Sequence, residues 1–140
     1  MISFQFTQPH AESESVRLKD PIDVLLGVVA DARFLANGIL VLAMPAFPIV
    51  ELAAQLDYWL KHGGEREFSY ESAEAEVELL WFRRIDGSWF VGSDLAEART
   101  KHETTHGAAV DFARTYIDQV RDEVRRAMNV DISRALQLRK

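Results

Sequence analysis

Two dipeptides, Asn37-Gly38 and Asp86-Gly87, each lie between apolar runs and constrain the fold more than any other feature of the chain. A two-residue hairpin loop needs positive φ at both central positions, and Asn-Gly and Asp-Gly reach it with least strain. The first turn predicts pairing of Ala36 with Ile39, Leu35 with Leu40, Phe34 with Val41, Arg33 with Leu42 and Ala32 with Ala43. Both faces of that hairpin are largely apolar, as expected of strands inside a sheet. The second turn sets Arg84 opposite Trp89, Arg83 opposite Phe90 and Phe82 opposite Val91. Ile2, Phe4 and Phe6 alternate with Ser3, Gln5 and Thr7, which reads as a first strand. The polar segment His10–Asp20 is expected to be a loop leading through Pro21 into the second strand. Further strands are expected over Phe68–Tyr70, Glu76–Ile85 and Ser88–Ser93.

Two helices complete the pattern. Pro48 suits a first helical turn, Ile49, Leu52, Ala53, Leu56, Trp59 and Leu60 form one stripe, and Gly63-Gly64 ends it. Ala109, Val110, Ala113, Tyr116, Ile117, Val120, Val124 and Ala127 form a second stripe over Ala108–Met128, with Asn129 suited to a left-handed stop. Asp118, Arg121, Asp122, Arg125 and Arg126 make its wet side. Between the last hairpin and this helix, Asp94 with Glu97 fits a capping box and Arg99–Thr105 fits an edge strand. The order β-β-β-α-β-β-β-α is an α+β domain over residues 1–140, with a mainly antiparallel sheet of about six strands and two helices on one face. In this reading the helices cover Val77, Leu79, Trp81 and Phe90. The opposite face carries Glu74, Glu76, Glu78, Leu80, Phe82 and Arg84.

A chain of 140 residues is long enough for one buried core. With no cysteine it has no disulfide, thiol nucleophile or thiolate metal site, and such a chain suits a reducing cytoplasm. Its 22 acids against 16 Lys plus Arg give a net charge of −6, which argues against nucleic acid and favours a basic partner. The N-terminal residues lack the basic and apolar regions of a signal peptide. Val24–Val50 is interrupted by Asp31, Arg33, Asn37, Gly38, Pro45 and Pro48, so no membrane span is expected.

His102-Glu103-Thr104-Thr105-His106 matches H-E-x-x-H, which on a helix places two imidazoles toward one zinc ion with the glutamate as general base. The five residues resemble the motif of zincin metallopeptidases, which implies His102 and His106 as ligands and Glu103 as base. The surroundings argue otherwise. The positions that a metzincin fills with glycine and a third ligand are Ala109 and Phe112. A third ligand at Asp122 or Glu123 would lie about 25 Å farther along the same helix. A solvated segment with two surface histidines is the expectation, and no metal or other cofactor is assigned. No G-x-S-x-G elbow or phosphate loop is present, and no catalytic residue is assigned. Arg83-Arg84 beside Trp89 and Phe90 reads as an ion-pair partner at a hairpin end.

Glu65, Glu67, Glu71, Glu74, Glu76 and Glu78 place six carboxylates within 14 residues. Charges on an exposed strand discourage edge pairing, and they also steer and select a basic protein. Glu71, Glu74, Glu76 and Glu78 are the candidate charged contacts, with Phe82 and Trp89 as the anchors that desolvate them.

Phe47-Pro48-Ile49-Val50-Glu51-Leu52-Ala53, Trp59-Leu60, Phe68-Ser69-Tyr70-Glu71-Ser72 and Gly87-Ser88-Trp89-Phe90-Val91-Gly92-Ser93 together resemble a group of small uncharacterised bacterial proteins, over about half of the chain. In size, acidity and α+β make-up the chain is similar to bacterial toxin-immunity proteins. That resemblance implies a cytoplasmic, non-enzymatic inhibitor that covers the active site of a cognate toxin, often a basic nuclease. The alternatives are a zinc hydrolase centred on His102, Glu103 and His106, and a small-ligand domain with a pocket between sheet and helices.

Overall fold

The structure, a computed structural model, describes residues 1–13, 18, 20–72, 77–95 and 101–138. In chain order its elements are β1 (Ile2–Phe6), β2 (His10–Ala11), α1 (Pro21–Gly27), β3 (Val28–Ala36), β4 (Ile39–Phe47), α2 (Ile49–His62), β5 (Phe68–Tyr70), β6 (Leu80–Ile85), β7 (Ser88–Gly92), β8 (Lys101–Thr104) and α3 (His106–Met128). A 3₁₀ turn, Ala135–Gln137, follows. The α+β class holds, but the single sheet does not: the described residues form two antiparallel sheets of four strands each and three α-helices.

In the first sheet β3 is central. β1 and β2 lie end to end along one side of it and β4 along the other. The Asn37-Gly38 turn sets Ala36 against Ile39 and Leu35 against Leu40 as expected, and both turn residues have positive φ. One residue farther the register slips, and Phe34 pairs with Leu42 rather than Val41. The extra residue lets consecutive Val41 and Leu42 both bury, each 1% exposed. A second irregularity follows at Ala46, whose left-handed backbone is held by its N–H donating to Asp31 Oδ1 (3.0 Å).

Pro21 opens a helix, not the expected strand. Proline fixes φ at the first helical position at no hydrogen-bond cost, and α1 buries Val24 and Leu25. α2 follows its stripe closely, with Ile49, Leu52, Ala53 and Leu56 fully buried.

The second sheet runs β5-β6-β7-β8. Its Asp86-Gly87 hairpin has the predicted register, with Phe82 on Val91, Arg83 on Phe90 and Arg84 on Trp89. The expected faces are reversed. Leu80, Phe82 and Val91 point into the core, each 0% exposed, while Trp81, Arg83 and Phe90 share the outer face. On that face Trp81 lies across Gly92, where a Cβ would meet its ring at 2.5 Å. Overpacking of this kind costs about 1–3 kcal/mol, so Gly92→Ala should lower the urea midpoint by that amount of stability with an unchanged m-value.

α3 closes both sheets. Thr105 Oγ1 accepts from the Ala108 N–H (3.0 Å), and Asn129 ends the helix in the left-handed conformation at φ 55°. Phe112 packs edge-on against Phe4 (5.8 Å between centroids) and Phe34 (6.1 Å) of the first sheet and Phe82 (5.9 Å) of the second. One aromatic side chain thereby joins the two layers.

Candidate functional site

The histidines of the H-E-x-x-H segment stand on different elements. His102 is on strand β8 and His106 opens α3, so the helical spacing that would aim both rings at one ion is not formed. His106 Nε2 hydrogen-bonds the Gly64 carbonyl, which accepts only, so that nitrogen carries the proton. Its ring packs on Trp89 (5.3 Å) and Trp59 (6.2 Å). Among the described residues no group of three or more His, Asp and Glu is placed to hold a metal ion.

The acidic stretch is drawn into the scaffold where it is described. Glu67 accepts the Arg84 N–H (2.8 Å). The Gln55 side chain donates to the Glu71 carbonyl (2.8 Å) and accepts its N–H (3.0 Å), which leaves the Glu71 side chain exposed. Glu78 pairs with Arg83, which also reaches Asp94 (3.3 Å) and stacks 4.1 Å over Trp81. Such half-exposed pairs contribute up to about 1 kcal/mol each. The Trp81 indole N–H donates to Asp94 Oδ1 (2.9 Å), so the expected hairpin-end role of Arg83 is met within a small network. Glu74 and Glu76 lie outside the described residues. Phe82 is not a surface anchor: it is fully buried against Trp59 (5.6 Å) and Phe68 (5.5 Å). Trp89 is half-buried.

Glu51 is the charged side chain buried deepest among the described residues, at 1% exposure, and it accepts the Tyr70 hydroxyl at 2.6 Å. Burial, that bond and the Glu51 charge together hold the Tyr70 phenol well above its ordinary pKa. Burial does the same to Tyr116, whose hydroxyl donates to the Ile49 carbonyl (2.9 Å). The Glu51–Tyr70 pair ties β5 to α2. At the far end of α3, the Ser133 hydroxyl and N–H, with Arg125 nearby, hold the Asp131 carboxyl below its usual range.

Among the described residues a groove of about 960 Å³ lies between β1 and α3. One wall is the strand and the other is a ridge of α3 made by Asp111, Thr115, Gln119 and Glu123, four residues apart throughout. The twelve steps from Asp111 to Glu123 rise about 18 Å, against about 14 Å for the four steps from Ile2 to Phe6. Asp111 and Glu123 are the charged side chains lining the groove, one near each end of the ridge; Met1, whose ammonium donates to Asn37 Oδ1 (2.6 Å), also lines it, and Glu123 is paired with Arg126 (2.8 Å). The strict four-residue polar run was visible in the sequence as a row on one side of a helix, yet it lies apart from the acidic stretch that drew attention. A smaller hollow of about 410 Å³ lies between α2 and β5, where Tyr58 stacks on His62 at 4.5 Å.

No helix among the described residues is long and apolar enough to cross a membrane. No curated protein and no solved structure matches the chain. A family model described as a domain of unknown function (DUF7878) matches residues 2–126, and the chain belongs to that family.

Proposed function

We propose that the domain is a non-catalytic binding protein of the immunity type, which neutralises a basic toxin in the bacterial cytoplasm by covering its surface. A nuclease is the toxin class whose positive active surface fits this reading. The observation that carries it is the β1–α3 groove, large enough for a protein segment and lined by two acidic side chains, Asp111 and Glu123, and by no lysine or arginine. Exposed Glu65, Glu67 and Glu71 and the overall charge of −6 would add long-range attraction and raise the association rate. This moves the candidate contacts from Glu78, paired with Arg83, and the buried Phe82 to Asp111 and to Glu123, whose own partner, Arg126 (2.8 Å), is exposed and would give way to a cation of the partner. The zinc-hydrolase alternative has less support, because a strand-borne His102 and a helix-borne His106 with a protonated Nε2 make a poor ligand pair.

Co-expression with the products of the genes flanking its own tests the reading. A basic product should be toxic alone, and the domain should restore growth and bind it at one-to-one stoichiometry. The double reversal Asp111→Lys with Glu123→Lys should weaken that complex about 10- to 100-fold and flatten its salt dependence. Unchanged affinity, or the absence of a toxic flanking product, overturns the proposal.

A further inference from the structure

The hydrogen-bond phase of β1 fixes which of its backbone groups are free. At one end the Asn37 N–H donates to the Met1 carbonyl (2.8 Å), and at the other the Thr7 N–H donates to the Asp31 carbonyl (2.9 Å). Both belong to the continuous register Ile2–Ala36 through Phe6–Ala32. In an antiparallel pair, hydrogen-bonded and non-bonded positions alternate. Residues 3 and 5 therefore bond β3, and Ile2, Phe4 and Phe6 turn their N–H and C=O outward. No other strand among the described residues pairs with that edge, and it borders the acidic groove.

Compare the other sheet edges. β4 carries Pro45 and the left-handed Ala46, β5 is three residues long, and β8 presents Lys101 and Glu103. Each is a device that blunts pairing with another chain. β1, Ile-Ser-Phe-Gln-Phe, has no proline, bulge or charge.

We infer that β1 is a docking edge for strand addition, and that its occupant is an extended segment of the basic partner with two lysine or arginine side chains on one face, four or six positions apart. This rests on the binding reading above and specifies how the partner is held. Main-chain hydrogen bonds to Ile2, Phe4 and Phe6 supply the pairing. The side-chain spacing follows from the roughly 18 Å between the ends of the Asp111–Glu123 ridge, divided by about 3.4 Å per strand residue. A second copy of this chain is a worse fit, since pairing β1 with β1 would bring two sets of these acids together with no lysine or arginine among the lining residues to offset them.

The probe is a nine-residue blocked peptide alternating valine and lysine. Controls replace lysine with glutamate, or methylate the backbone nitrogens on one edge. Amide exchange followed by NMR should show Ile2, Phe4 and Phe6 exchanging freely in the unbound domain while residues 3 and 5 are protected. The lysine peptide should slow the first three at least tenfold, and the glutamate and methylated peptides should not. Failure of the lysine peptide to bind, or binding without that protection, overturns strand addition. If the partner complex still weakens on reversal of Asp111 and Glu123 but its β1 amides stay unprotected, strand addition falls and the binding reading stands. If the reversals also leave the complex unchanged, both fall. Edge protection that rises with the concentration of the domain alone identifies a second copy as occupant and overturns the assignment.

Discussion

Raising the pH from 10 to 12 should destabilise this domain, by at most about 5 kcal/mol. Tyr70 and Tyr116 are both fully buried, and both phenols are held well above their ordinary pKa. The unfolded chain releases these protons near pH 10, whereas the folded chain keeps them. Above pH 10 the unfolded state binds fewer protons, so stability falls as pH rises. The slope approaches about 1.4 kcal/mol per pH unit for each tyrosine. Stability contributed by these groups is fully present below pH 10 and is lost progressively above it. Small domains hold about 5–15 kcal/mol in total, so a loss of that size is a third or more of the whole. Denaturant titrations at pH 9, 11 and 12 measure it. Tyr116→Phe removes one hydroxyl bonded to Ile49, costs about 1 kcal/mol at neutral pH and should halve the alkaline slope. An undiminished slope in that variant would refute the assignment.

Phe82→Ala should cost about 3–5 kcal/mol, enough to leave a marginal or unfolded domain. The ring is fully buried among Trp59, Phe68 and Phe112, and its loss opens a void at the junction of α2, α3 and the second sheet. Phe82→Leu fills part of that space and should recover most of the loss. A surface role would give the opposite pattern: a stable Phe82→Ala protein with impaired partner binding. Thermal unfolding of the two variants separates the cases.

That reversal marks where the sequence was legible. Leu79-Leu80-Trp81-Phe82 is apolar at every position, so alternation names the strand but not its inward side. The deciding contacts come from elsewhere: Phe112 reaches Phe82, while Trp81 is taken by Gly92, Asp94 and Arg83. Phe112 itself belongs to the α3 stripe, and including it would have shown how strongly that helix binds both sheets. The Asp86-Gly87 register was readable because turn chemistry is local. The Asn37-Gly38 register was readable for two pairs, until the extra residue near Val41 shifted it. α1 was missed because seven residues barely establish a helical period, although Pro21 at the first position was a usable signal. The H-E-x-x-H segment misleads in the same local way. Thr105 caps a helix beginning at His106, so the motif straddles a strand–helix junction. The groove was the least legible feature, since it joins residues 1–6 to residues 105–123 and needs the tertiary fold to exist.

That α3 follows every strand of both sheets in chain order has a consequence during synthesis. The strands of both sheets have left the ribosome before Phe112 and Tyr116 follow, so Phe4, Phe34 and Phe82 spend that interval without their aromatic cover. A nascent chain in this state exposes apolar surface and the unguarded edge of β1 together, the combination on which aggregation and chaperone capture depend. Ribosome-bound chains stalled before residue 112 should therefore be protease-sensitive, and those extended well past residue 128 resistant.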